Sequence, residues 1–177
     1  LVLIAAITLK LTVRLLAHLT TGLLGPGWKR DGRVGLACRD GLFLDGQRLD
    51  PGDCAHWGPA QRLLTDPACA AAIIENGTDA LLREGLAYDR CQVGVLTDID
   101  PTLLPADDYV DSAERLCSLM RTQVDVVLPG GAAVLNGADP LVAAMAPLSD
   151  GEVIYFAADP HCPVLAAHRR AGGRILT

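Results

Sequence analysis

Aromatic residues are scarce in this chain: phenylalanine, tryptophan and tyrosine together make up 4% of its 177 residues. Half of the residues are hydrophobic, and most of these are alanine, leucine and valine. This mixture argues against a β-sandwich built on aromatic side chains and favours a parallel sheet covered by helices. The length is sufficient for one self-supporting core, so we expect a single domain over residues 1–177.

An excess of positive charge and long apolar runs are also lacking. The formal net charge is −6 and the isoelectric point is near 5.0, which argues against a surface for nucleic acid or anionic membranes. No apolar run approaches the ~18 residues of a membrane span, and no signal-peptide cleavage site is visible. We therefore expect a cytoplasmic protein that binds neither nucleic acid nor a membrane. Because the chain begins inside an apolar run and ends in another at Arg174–Thr177, we also expect a fragment of a longer protein.

Closely spaced cysteine pairs are absent from the sequence. The six cysteines lie 15 or more residues apart, so neither a zinc site nor a compact disulfide framework is well supported. We expect reduced thiols, most of them buried. They are Cys38, Cys54, Cys69, Cys91, Cys117 and Cys162.

Strand and helix patterns alternate along the chain, which predicts an α/β fold with a mainly parallel, doubly wound sheet. Predicted strands cover residues 1–7, 70–75, 92–97, 132–135 and 153–157, and a hairpin over 34–49 turns at Asp45–Gly46. Predicted helices cover residues 11–24, 59–64, 80–85, 111–124 and 139–145, and a last one ends at Gly172–Gly173. In such a sheet, ligands bind beyond the carboxyl ends of the strands.

Polar residues stand at several of those strand ends, in Thr8–Thr12, Glu75, Thr97–Asp98 and Asn136–Pro140. A lysine, a glutamate and an Asn/Asp pair at one sheet edge can hold the phosphates, magnesium and ribose of a nucleotide. The structural alternative is that Asn136 caps the next helix and that Asp139 sits at its N-terminus, where a carboxylate is favourable. The pattern alone leaves both interpretations open.

The first twelve residues have the layout of a phosphate-binding loop without its glycines. An apolar strand leads through Lys10 into a helical pattern, but Ala6 and Leu9 stand where such a loop has glycine. Glycines are needed there because the backbone N–H groups must curl around phosphate oxygens. The segment is either a nucleotide-binding loop that has lost its cradle or an ordinary buried strand and helix.

Several longer motifs resemble the central, Mur-ligase-like ATP-binding domain of cyanophycin synthetases. The resemblance runs in order and with similar spacing over essentially the whole chain. Its motifs are Asp40–Gly41 with Gly52–Cys54, Arg83–Cys91 with Val93–Thr97, Ala133–Asn136 with Ala138–Met145, and His168 with Gly172–Gly173. It implies a P-loop NTPase-like fold that uses ATP to activate the aspartate side-chain carboxylate of a growing polymer, which arginine then attacks. Aspartate is added in that family by a separate ATP-grasp domain, absent from this chain.

The resemblance also assigns the site residues: Lys10, Thr12, Asn136 and Asp139 to ATP, and Glu75 to the metal. The phosphate loop of the family reads G-T-N-G-K-T, whereas residues 6–11 read A-I-T-L-K-L. Only Lys10 survives from that loop, and Thr12 stands one place late.

Other family motifs are incomplete as well. Glu75 matches, but the A-R-G-G motif that follows it is lost at Gly77–Ala80. The magnesium-binding N-I-x-x-D-H segment is replaced by Asp98–Leu103, and a typically carbamylated, metal-binding lysine falls on Met120. The N-x-D-D-P motif at Asn136–Pro140 lacks one aspartate. Since phosphoryl transfer relies on positioning and charge neutralisation, these losses together predict an inactive domain in which ATP and magnesium binding is weak or lost.

The sequence thus predicts a degenerate, structural copy of this domain inside a parent ATP-dependent amide ligase. Its expected partners are the other domains of that ligase and, in a homo-oligomer, further copies of itself. One alternative is an active ATP-dependent amino-acid ligase domain with an unconventional nucleotide site. Another is an assembly module that supplies oligomer contacts only.

Overall fold

A computed structural model describes residues 2–7, 33–99 and 112–177. The chain divides into two compact units, Leu1–Asp89 and Arg90–Thr177. The predicted helix over residues 11–24 lies outside the described residues. The description of residues 1–177 as one domain stays a prediction.

The first unit is built on a mixed sheet with the strand order β4-β3-β2-β5-β1. Strand β5 is parallel to both β1 and β2, while β2, β3 and β4 form an antiparallel meander. The elements are β1 (Val2–Ile7), β2 (Arg33–Cys38), β3 (Gly41–Leu44), β4 (Gln47–Asp50), α1 (Trp57–Thr65), β5 (Cys69–Glu75) and α2 (Thr78–Glu84).

The predicted hairpin is confirmed at its turn. Asp45 and Gly46 connect β3 to β4 with φ values of 49° and 79°, the left-handed conformation that Asp-Gly tolerates in a two-residue hairpin loop. The Asp45 carboxylate also accepts a hydrogen bond from the backbone N–H of Val34 at 3.0 Å. Strand β5, between two parallel neighbours, is almost wholly buried, which explains its continuous apolar run.

The second unit has the strand order β6-β7-β8-β9, and its neighbouring strands are all parallel. Its elements are β6 (Cys91–Leu96), α3 (Ala113–Met120), α4 (Thr122–Asp125), β7 (Val127–Asn136), α5 (Pro140–Ala143), a 3₁₀ turn (Ala146–Leu148), β8 (Glu152–Phe156), α6 (Pro163–Arg170) and β9 (Ile175–Leu176). The predicted α/β arrangement is therefore confirmed. The sheet of the second unit is parallel, whereas that of the first unit is mixed because β2, β3 and β4 form an antiparallel meander.

Strand β7 begins earlier than the sequence predicts because it contains a bulge. Cys91 pairs with Val127 and Val93 pairs with Ala132, so β7 fits four residues where β6 has only Gln92. Gly131 lies so close to β6 that an added Cβ would stand 2.2 Å from the carbonyl oxygen of Gln92. A glycine is therefore required where the bulge rejoins the ladder.

The predicted helix over residues 111–124 is divided in two at Arg121. Helix α3 begins after Ser112, whose hydroxyl accepts a hydrogen bond from the backbone N–H of Arg115 at 3.3 Å. Leu116, Met120 and Val124 of the predicted apolar face are buried. In the described part of the chain, no helix is long and apolar enough to cross a membrane.

Candidate functional site

Glu75 closes strand β5, opposite Ala6 of the parallel strand β1. The residue is buried, with 3% of its surface exposed, and its main partner is Arg39. The backbone N–H of Arg39 donates to Oε2 of Glu75 at 3.0 Å, and Nε of Arg39 lies 3.6 Å from Oε1. Both carboxylate oxygens are thus in contact with one arginine.

Arg39 reaches Glu75 because strands β2 and β5 are parallel and end at the same edge. Ala37 pairs with Ile74, and Arg39 follows two residues later in the Arg39–Asp40 turn between β2 and β3. Arg39 is not among the residues predicted from the sequence to form the site. The available signal was a cation directly after a buried strand, at the edge where ligand groups are expected.

Burial raises the pKa of the Glu75 carboxyl above its ordinary value of 4.5. The backbone N–H and the guanidinium of Arg39 act in the opposite direction, and the nearby carboxylates of Asp53 and Asp40 raise the pKa further. The net effect is that the folded chain binds the Glu75 proton more tightly than the unfolded chain does.

We expect Glu75→Gln to change how stability depends on pH. On unfolding, the pKa of Glu75 returns towards 4.5, so the wild-type chain loses folding free energy as the pH rises from that value through the raised pKa. The glutamine does not titrate. The free energy of unfolding of the variant, relative to wild type, should therefore rise in urea titrations as the pH goes up from 4.5 through the raised pKa. A difference that stays constant or falls over this range would contradict the raised pKa.

In the second unit, Asn136 joins the carboxyl ends of two strands. Its side-chain N–H donates to the carbonyl oxygen of Thr97, which follows β6, at 2.7 Å. Its Oδ1 accepts a hydrogen bond from the backbone N–H of Ala138 at 2.9 Å. Both ends of the amide are therefore used to fix the loop beyond β7.

Asp139 is the N-cap of helix α5, which begins with Pro140. Its Oδ1 accepts hydrogen bonds from the backbone N–H groups of Leu141 at 2.8 Å and Val142 at 3.3 Å. Its Oδ2 accepts one from the backbone N–H of Ile99 at 3.0 Å. The structural alternative for Asp139 is confirmed: the carboxylate satisfies helix N–H groups and ties the segment after β6 to the helix.

Met120 lies in the core of the second unit, with 3% of its surface exposed. Its sulfur is 4.0 Å from the side-chain nitrogen of Gln123, which is also buried. A thioether in this position offers no oxygen ligand to a hard divalent cation.

The structure therefore brings Asn136 and Asp139 together with Thr97 and Ile99 at the end of β6, and it places Glu75 against Arg39. Lys10 and Thr12 lie outside the described residues. Over residues 2–7, 33–99 and 112–177, no group of three or more His, Cys, Asp or Glu side chains is arranged to hold a metal ion.

Comparison with known sequences gives two kinds of match. A family model described as a domain of unknown function (DUF4938) matches residues 44–155. Cyanophycin synthetase from Synechocystis sp. is 35% identical over 163 residues, and that from Crocosphaera subtropica is 32% identical over the same length. Each alignment covers 92% of this chain and 18% of the relative, so the chain spans about a fifth of the length of these relatives. The predicted resemblance is confirmed.

Solved structures support the fold. The bifunctional folylpolyglutamate synthase/dihydrofolate synthase of Yersinia pestis, complexed with AMPPNP and Mn ion, matches with a TM-score of 0.57 and 16% identity. The match covers 89% of this chain and 43% of the enzyme. FolC of E. coli, in complex with DHPP and ADP, matches with a TM-score of 0.53 and 14% identity over 89% of this chain and 42% of that one. At these identities the likeness establishes a Mur-ligase-like α/β fold alone.

Proposed function

We propose that this chain, which belongs to the family described as a domain of unknown function (DUF4938), is a degenerate central domain of a cyanophycin-synthetase-like ligase. In this proposal it has a doubly wound, P-loop-type architecture, does not turn over ATP and serves as a structural part of a longer ATP-dependent amide ligase in the cytoplasm. The observation that carries the proposal is the engagement of Asp139: both of its oxygens already accept N–H groups of the chain itself.

The residues present do not fit the magnesium site that the resemblance implies. Magnesium requires several oxygen ligands at near-octahedral positions. Here Glu75 is in contact with a guanidinium, Asp139 is a helix cap, and Met120 replaces a metal-binding lysine. Two of these positions offer an oxygen that is already used, and the third offers none.

The loop composition points the same way. Without glycines at positions 6 and 9, the phosphates lack an N–H cradle and stay in water. Lys10 alone would add one solvent-screened contact worth on the order of 1 kcal/mol. A dissociation constant near 1 µM needs about 8 kcal/mol of net binding free energy. The remaining side chains are too few to supply the difference.

We expect no binding of Mg-ATP by the purified 177-residue chain in titration calorimetry at ATP concentrations up to about 1 mM. A variant with Ala6→Gly, Leu9→Gly and Leu11→Thr, which restores the loop composition, should remain weak because the metal ligands are still missing. Low-micromolar binding by the unmodified chain, lost in Lys10→Ala and kept in the control Lys29→Ala, would contradict the proposal. That result would support the active ligase with an unconventional nucleotide site.

The proposed partners are the other domains of the parent ligase and further copies of the chain. Two large apolar side chains of the first unit are available for such contacts, since Leu49 is 44% and Trp57 is 45% exposed. This observation also favours the assembly module as the second candidate function. In that case the chain would supply subunit contacts without any nucleotide.

A further inference from the structure

We propose that the guanidinium of Arg39 is the cation that stabilises the Glu75 carboxylate, in the role that the resemblance assigns to a metal ion. The inference rests on the proposed function, because it explains how the degenerate site keeps a buried carboxylate without magnesium. It adds that this position neither needs nor accepts a divalent cation.

Burying the charge of the Glu75 carboxylate costs free energy. The side chain of Glu75 is 4% exposed, and an ionised carboxylate at that depth is strongly unfavourable unless a cation or hydrogen-bond donors face it. Arg39 supplies both, a backbone N–H at 3.0 Å from one oxygen and a guanidinium nitrogen at 3.6 Å from the other. Part of the charge that a metal would neutralise is thus offset from within the chain, by a guanidinium whose side chain is 47% exposed.

Negative charge of neighbouring residues also acts on Glu75. The carboxylates of Asp40 and Asp53 raise the pKa of Glu75. The guanidinium lowers the pKa of Glu75 and offsets part of this effect.

The turn that carries Arg39 is held in place by its neighbours. The guanidinium of Arg48 donates to the carbonyl oxygen of Asp40 at 2.7 Å and to that of Pro51 at 2.9 Å. Gly41 has φ of 143°, and a Cβ there would lie 2.4 Å from the carbonyl oxygen of Asp50. Because the turn is anchored on both sides, the entropic cost of ordering Arg39 against Glu75 is reduced.

The test is thermal melting of the purified chain without nucleotide, with the variants Arg39→Ala, Glu75→Gln and the double variant. We expect Arg39→Ala to lower Tm by about 3–6 °C, because it leaves a buried carboxylate without its cation. Arg62→Ala is the matched control, since it removes an exposed ion pair to Asp50, and its Tm should stay within about 1 °C of wild type. Arg39→Lys, which keeps the charge, should recover part of the loss.

Two further readouts separate a charge effect from simple loss of packing. The deficit of Arg39→Ala should grow as the pH rises above 4.5, and it should vanish in the Glu75→Gln background. Added Mn²⁺, followed by melting and by electron paramagnetic resonance, should neither stabilise nor bind to the wild-type chain at Glu75.

Two results would overturn the assignment. One is an Arg39→Ala deficit equal to that of Arg62→Ala, or unchanged in the Glu75→Gln background. The other is saturable stabilisation of the wild-type chain by Mn²⁺ that Glu75→Gln abolishes. Both results are obtained without ATP, so they test the role of Arg39 and not nucleotide binding. The proposed function is tested separately, because Mg-ATP binding in calorimetry would contradict it.

Discussion

Replacing Gly131 by alanine is expected to lower the free energy of unfolding by about 3 kcal/mol, which is among the larger effects for adding a single methyl group. The new Cβ would lie 2.2 Å from the carbonyl oxygen of Gln92 and 3.0 Å from that of Leu128. Both obstacles are backbone atoms, which cannot rotate away as a side chain can. Either β7 moves away from β6 or the bulge is lost, and both responses break ladder hydrogen bonds.

Gly130 is the control for this substitution. It is the preceding residue of the same bulge, it is exposed, and a Cβ there would meet nothing within 4 Å. Gly130→Ala should therefore leave stability within about 1 kcal/mol of wild type, with a small gain from the reduced entropy of the unfolded chain. Urea unfolding followed by circular dichroism measures both variants. Equal effects at the two positions would contradict the position of the bulge.

Replacing Asp139 by alanine is expected to lower the free energy of unfolding by about 2–3 kcal/mol. Loss of an N-cap typically costs about 1 kcal/mol, and the backbone N–H of Ile99 loses its acceptor in addition. Asp139→Asn should be intermediate, because its amide oxygen can still cap helix α5 while its amide nitrogen cannot accept from Ile99.

Asp150→Ala serves as the control in the same unit, since Asp150 forms an exposed ion pair with Arg90 at 3.9 Å. We expect it to change stability by less than about 1 kcal/mol. The comparison also bears on function. A carboxylate kept for a ligand rather than for folding would leave the free energy of unfolding unchanged, or raise it, when removed.

The regular elements could be predicted from the sequence because their apolar runs have a clear period. Strand β5 was predicted from residue 70 and begins at Cys69, and strand β8 was predicted from residue 153 and begins at Glu152. The start of β7 could not be predicted in this way. The residues L-P-G-G at 128–131 have the composition of a turn, and only pairing with β6 retains them in the strand.

The candidate site was harder to predict, because its contacts join residues that are far apart in the sequence. Arg39 and Glu75 are 36 residues apart, and only the parallel pairing of β2 with β5 brings them together. For Asp139 the sequence allowed both a ligand and a helix cap. The decisive bond, from the N–H of Ile99, spans 40 residues and leaves no trace in local composition.

The buried thiols make local unfolding of the chain measurable, because they react only when they become exposed. Five of the six cysteines are buried, as predicted, and Cys117 is half-buried. Burial raises the pKa of Cys91 to about 11, so at pH 7 only on the order of one thiol in ten thousand is ionised. An alkylating reagent therefore reacts at a rate set by how often the surrounding backbone separates. Each unit carries three cysteines, so the alkylation rates of the two sets report how often each unit opens.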